Sequence, residues 1–134
     1  MAVFSDLRLM SLLVLLLASQ LDFASAVRVF GLYARDLTGD AFGNPPDPYV
    51  KVWCGSAFGG QTEYHKDTDH PRWSAVFSFP NCNPYENLKL EVWDKDLNFD
   101  DHLGTCYRQV KFGTFAVTCH LSKGTLYYKY ELIQ

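Results

Sequence analysis

The chain has 134 residues with 12 basic and 15 acidic side chains, a net charge of −3. That length holds one domain and excludes two of ordinary size. A composition that is 48% hydrophobic excludes a disordered chain. The acidic balance excludes a generally basic nucleic-acid binder, since little would offset the phosphate charge, and no nucleic-acid partner is expected.

The first element is a targeting segment. Arg8 lies in a short n-region, Leu9 to Ala18 reads LMSLLVLLLA, and Ala24-Ser25-Ala26 is a small-residue cleavage site. Together they predict a secretory signal peptide over residues 1–26 and a single domain over 27–134, secreted and extracellular. The apolar run is too short for a membrane span, which takes roughly 20 residues.

Downstream, no segment keeps a helical period. Eight short runs rich in Val, Phe, Tyr and Trp alternate with Gly, Pro, Asn and Asp clusters: Val27–Tyr33, Tyr49–Cys54, Thr62–His65, Ser74–Phe79, Leu88–Trp93, Gly104–Val110, Phe115–His120 and Leu126–Leu132. Leu88, Leu90 and Val92 alternate with Lys89, Glu91 and Trp93, and Tyr128, Tyr130 and Leu132 with Lys129 and Glu131. Period two with one apolar face reads as half-buried strand. The expected fold is all-β, an eight-stranded antiparallel sandwich.

Cys54, Cys82, Cys106 and Cys119 all follow the signal segment. An even count in a small secreted domain predicts two disulfides, with three connectivities open. Cys106–Cys119 is favoured because it closes a local loop between two strand-like runs, which leaves Cys54–Cys82. No pair has the C-x-x-C spacing of a zinc site.

Two loops stand out as acidic, Leu37–Asp47 (LTGDAFGNPPD) and Asp94–Gly104 (DKDLNFDDHLG). They carry Asp40, Asp47, Asp94, Asp96, Asp100 and Asp101. A sandwich gathers its loops at two ends, so these carboxylates can face one another. Their repulsion destabilises the arrangement unless a cation fills the gap, and hard oxygen donors suit calcium. The plain alternative is that they are turn aspartates. The pattern is not an EF-hand, because the turn Gly and the closing Glu are missing.

Four segments then resemble the C2 domain family. Asp47-Pro48-Tyr49-Val50-Lys51-Val52 is similar to its D-P-Y-V-K-V segment, and His70-Pro71-Arg72-Trp73 to its N-P-x-W turn with His for Asn. Val92-Trp93-Asp94-Lys95-Asp96 is similar to V-W-D-x-D, and Asp101-His102-Leu103-Gly104 to D-x-L-G. The match runs from about Val27 to Leu132. The Gly-Asp pair at Gly39-Asp40, Pro71-Arg72-Trp73, the run Trp93–Asp101, Gly104-Thr105-Cys106 and Val117-Thr118-Cys119 resemble more narrowly the C2 domain at the C-terminus of perforins. The resemblance implies a cysteine pair at Cys106 and Cys119. It implies calcium as cofactor, with ligands at Asp40, Asp47, Asp94, Asp96 and Asp101. Asp101 keeps D-x-L-G in register, and Asp100 stands beside it as the other choice for the last ligand. The first loop is one residue longer than the family spacing and holds Pro45-Pro46. The later loop is one residue shorter between Asp96 and its last Asp. An immune setting follows by analogy alone, and pore formation is not implied.

The loop tips carry Phe42, Leu97 and Phe99 beside the acids. Apolar side chains next to a carboxylate cluster are poor core candidates and good membrane wedges, and the alternative is that they fold back onto the sandwich. Lys51, Lys66, Arg72, Lys95 and Lys111 are scattered, so little headgroup specificity is expected of them. No G-x-S-x-G elbow or H-E-x-x-H motif is present, and no catalytic residue is assigned. The expected function is a non-enzymatic, calcium-dependent phospholipid-binding module, monomeric in solution and peripheral on membranes. The rival is an extracellular protein-interaction module that needs no lipid.

Overall fold

The computed structural model describes residues 25–39 and 42–133, so the proposed signal segment lies almost wholly outside the described residues. Two antiparallel sheets face each other. In the first, β1 (Ala26–Arg35) pairs with β9 (Gly124–Ile133), which pairs with β8 (Gly113–Leu121). On its other side β1 pairs with two short segments, β4 (Arg72–Trp73) and β5 (Phe77–Phe79). The second sheet has the order β3 (Ala57–Gln61), β2 (Pro48–Cys54), β6 (Asn87–Asp94), β7 (Asp101–Gln109).

The nine segments fill eight strand positions, because β4 and β5 lie along the same side of β1. Trp73 stands opposite Leu32, and Phe79 opposite Val27. The run expected as one strand over Ser74–Phe79 is therefore broken at 74–76.

The period-two pattern explains the core. Leu88, Leu90 and Val92 of β6 and Val50 and Val52 of β2 are fully buried from one sheet. Val27, Val29, Tyr128, Tyr130 and Leu132 meet them from the other. Burying each such side chain stabilises the fold by roughly 1.5–3 kcal/mol relative to exposure.

The strand expected at Thr62–His65 is not there; the strand is the Gly-bearing run just before it, β3. Two glycines in sequence suggest a turn, but here they make room. A Cβ on Gly59 would stand 2.3 Å from the ring of Phe79. After Gln61 the ladder ends, since the Thr62 hydroxyl takes the Val50 amide (2.9 Å) and then donates to the Glu63 carbonyl (2.8 Å). The second acidic loop is also shorter than expected, because β7 begins at Asp101 and not at Gly104. The lack of a side chain at Gly104 still matters: a Cβ would come within 2.7 Å of Leu121 Cβ on β8.

Two disulfides join the sheets. Cys106 of β7 is bonded to Cys119 of β8, with Cα atoms 6.0 Å apart. Cys54, the last residue of β2, is bonded to Cys82 in the connection after β5, at 6.1 Å. The segments 36–39, 42–47, 62–71, 95–100 and 122–123 lie at one end of the sandwich. The other end holds 55–56, 80–86 and 110–112, together with Ala26 and Ile133, which are paired.

Candidate functional site

The acidic end is assembled by register and by backbone donors. Pro48 pairs with Asp94, and Asp94 with Asp101, so the base of the first loop and both ends of the second stand side by side. Asp94 closes the inward-facing series of β6 and is only 9% exposed. The Asp47 amide donates to its Oδ1 (2.7 Å), and the Lys95 amide returns a bond to the Asp47 carbonyl (2.9 Å).

Burial raises the Asp94 pKa above the usual carboxylate range. The Asp47 amide opposes this, while the charges of Asp47, Asp101 and Asp96 push it further up. Three of the five expected ligands, Asp47, Asp101 and Asp96, therefore act on a fourth, Asp94. The fifth, Asp40, lies outside the described residues.

Asp100 is turned to other work. It accepts the Asp96 amide (3.0 Å) and the Tyr49 hydroxyl, and Lys95 Nζ stands 3.9 Å away. The Asp96 amide and the Tyr49 hydroxyl hold its pKa down against burial, with help from Lys95 and Lys51. Tyr49 is correspondingly pushed well above the usual phenol value, by burial first and by Asp100 second. Asp100 thus fastens the loop over 95–100 to β2, while Asp101 belongs to the group around Asp94.

These donors fit a hard cation in kind. They are all carboxylate oxygens, and among the described residues the one Lys that ion-pairs at this end takes Asp100. Their spacing is open. Among the described residues, three ligand atoms gather within 4.8 Å only at Cys54, Cys82 and Glu86, where both sulfurs are tied in a disulfide. A cation would have to draw the Asp side chains inward by rotation.

The expected membrane contacts stand at the same end. Phe42 is 90%, Leu97 100% and Phe99 84% exposed, so none of them folds back onto the sandwich.

Three further residues at this end went unread in the sequence. Tyr49 acts through its hydroxyl on Asp100. Tyr64, half exposed, adds an aromatic from the loop over 62–71. Asp67, in a left-handed conformation (φ 54°), donates its amide to Asp47 Oδ1 at 2.7 Å. Tyr49 and Tyr64 carry a weak signal as aromatics flanking the motifs. Asp67 carries none, because its part is played by the main chain.

The comparisons with known proteins agree with this architecture. A family model described as C2 domain matches residues 25–122. Human perforin-1 is 37% identical over 106 residues, which cover 75% of this chain; the chain spans only 18% of that protein's length. A solved structure described as that of a C2 domain superposes with a TM-score of 0.79 at 40% identity, covering 82% of this chain and 99% of its own. The calcium-bound C2A and C2B domains of extended synaptotagmin 2 share the fold, with a TM-score of 0.68 at 24% identity over 81% of this chain and 45% of theirs. The motifs, the two-sheet topology and these matches together make this chain a member of the C2 domain family.

Proposed function

We propose that this protein is a secreted module that binds calcium at its acidic end and then a phospholipid surface. The observation that carries the reading is the pairing of two features at one end: buried Asp94 pressed by the charges of Asp47, Asp101 and Asp96, and the exposed side chains of Phe42, Leu97 and Phe99. Asp47, Asp94, Asp96 and Asp101, with Asp40, would hold the cation. Bound calcium neutralises these carboxylates and leaves coordination positions for phosphate oxygens. The Asp47 amide engages one oxygen of Asp94, and the Asp67 amide one oxygen of Asp47. The apolar tips then add an attraction that salt screens little. Perforin-1 and the calcium-bound extended synaptotagmin domains belong to the same family and support this reading.

Two disulfides suit an oxidising, extracellular setting. The proposed cut after Ala26 falls at the first residue of β1. It removes Ser25, which is buried and donates to the Cys82 carbonyl at 3.1 Å. N-terminal sequencing of the secreted protein tests the cut, and Val27 is the expected first residue.

Co-sedimentation with phosphatidylcholine–phosphatidylserine vesicles tests the function. Wild type is expected in the pellet with calcium and in the supernatant with chelator, and Asp94→Asn in the supernatant in both. Equal partition of wild type with and without calcium would refute the reading and favour the protein-interaction module.

A further inference from the structure

The outer face of the β4–β1–β9 sheet carries a second charged feature, away from the acidic loops. Tyr33 of β1 is the cross-strand partner of Tyr127 on β9 and of Arg72 on β4. The two tyrosine rings stack at 4.6 Å and 9°. The Arg72 guanidinium lies 4.7 Å from the centre of the Tyr33 ring. Arg35, two residues along β1, sits 5.8 Å from Tyr33 and 6.0 Å from Tyr127.

Stacking engages the flat face of a guanidinium, whereas its N–H donors lie in the plane and stay available. Among the described residues neither Arg35 nor Arg72 makes an ion pair or a side-chain hydrogen bond. Arg28 on the same face is bound to Glu131 at 2.9 Å. Arg72 and Arg35 line a recess of about 470 Å³ together with Tyr33, Asp36 and His70. His70 Nδ1 accepts the Asp36 amide at 3.3 Å, and its Nε2 lies 3.6 Å from Asp69. Two fixed positive charges thus face the single carboxylate of Asp36 within the recess, and the fork geometry of guanidinium matches an oxyanion.

Place decides the occupant. Arg35 is the last residue of β1, directly before the loop that carries Phe42, and Arg72 is the first residue of β4, directly after the loop over 62–71. Both stand at the base of the loops at the acidic end. A leaflet's headgroup layer is roughly 5–7 Å thick. With the tips in the acyl region, the loop bases come to headgroup depth.

We propose that Arg35 and Arg72, ordered by the stacked Tyr33–Tyr127 pair, form an oxyanion site for the phosphate of an anionic phospholipid on the membrane that the loop tips enter; this rests on the membrane reading above. The scattered cations of the sequence thereby yield headgroup preference after all, from two residues 37 positions apart that only the β1–β4 pairing brings together.

The test uses the full chain in calcium, with vesicles of phosphatidylcholine alone or with phosphatidylglycerol added. Arg35→Gln with Arg72→Gln is expected to lower affinity for the phosphatidylglycerol vesicles roughly thirtyfold. Affinity for pure phosphatidylcholine and for calcium is expected to stay unchanged. Arg35→Lys with Arg72→Lys keeps the charge but loses the fork, and should fall between. No loss, or equal loss on both vesicle types, overturns the proposal.

A vesicle-free arm follows the Nε–H signals of Arg35 and Arg72 by NMR during titration with inorganic phosphate. They are expected to shift in wild type, and the absence of a shift refutes the site. If wild type binds no vesicle yet the signals shift, the membrane reading fails and the site takes free phosphate. If the Gln pair abolishes retention on heparin resin but leaves phosphatidylglycerol binding intact, the ligand is a sulfated polysaccharide and the lipid assignment is overturned.

Discussion

The two ends of the sandwich are held together by different forces. At the end opposite the acidic loops, the chain is tied covalently and by main-chain bonds, with one amide, that of Asn83, on the Glu86 carboxylate. Cys54–Cys82 joins the end of β2 to the connection after β5. Tyr85 donates its amide to the Val110 carbonyl (2.9 Å), and Val110 donates to Glu86 (2.8 Å). The acidic end has main-chain bonds too, such as the Thr68 amide on the Pro46 carbonyl (2.9 Å), but three of its links end on carboxylates: the amide of Asp47 on Asp94, of Asp67 on Asp47, and the Tyr49 hydroxyl on Asp100. With a covalent tie at one end and three carboxylate acceptors at the other, the first is the more inert to pH.

The largest expected effect comes from breaking the inert end. Cys54→Ser with Cys82→Ser opens a loop with a sequence separation of 28. In the chain-entropy model that lowers stability by about 3–4 kcal/mol. Urea unfolding of the calcium-free protein measures it, and a loss below about 1 kcal/mol would mean that the main-chain bonds alone brace this end.

The next effect is confined to the other end and to binding. Leu97→Ala with Phe99→Ala should weaken calcium-dependent vesicle binding by about 2–3 kcal/mol in all, less than full burial of both side chains would give. Folding stability should stay within about 0.5 kcal/mol, since both residues stand in solvent. Unchanged co-sedimentation of the double variant would remove the tips from the membrane contact.

Tyr49→Phe sharpens the comparison with a loss of about 1–2 kcal/mol at neutral pH. Asp100 has a lowered pKa in the folded protein, so its contribution is present above the ordinary carboxylate value and disappears as pH falls through the folded one. The variant should therefore lose less than wild type below about pH 4. Parallel melting profiles across that range would count against the bond.

The smallest effect has the opposite sign. Asp94 has a raised pKa, so its charge costs stability at neutral pH, and the cost is relieved as acid protonates it on the way down to the ordinary value. Calcium-free Asp94→Asn should melt slightly above wild type at pH 7, with the difference vanishing below about pH 4. A lower melting temperature at pH 7 would show that the carboxylate is not strained by its neighbours.

What the sequence discloses follows from how each residue acts. Leu88, Leu90 and Val92 act through apolar side chains at fixed period, so β6 and its inward face are visible in the letters alone. Gly59 acts through the side chain it lacks, against a Phe79 that is 20 positions away, and reads as a turn until the packing is seen. Phe42, Leu97 and Phe99 stand out because apolar letters among loop acids have no local reason. Asp67 is opaque because it offers only a peptide N–H, and Tyr49 shows weakly as an aromatic letter while the partner of its hydroxyl is supplied only by the fold. Asp100 and Asp101 are neighbours of identical type, and their separate surroundings arise from register, Asp101 opposite Asp94 and Asp100 one step out in the loop.

The pairing of Val27 with Leu132, which the proposed cut leaves intact, has a practical side. Both strand ends emerge on the face of the molecule farthest from the loops, with β1 and β9 each running 10 residues between them and the acidic rim. At about 3.3 Å per residue that is roughly 30 Å. A tag, fluorophore or additional domain spliced onto either strand end would be carried behind the sandwich, leaving the rim unobstructed, so the fold behaves as a handle with its working edge at the opposite tip.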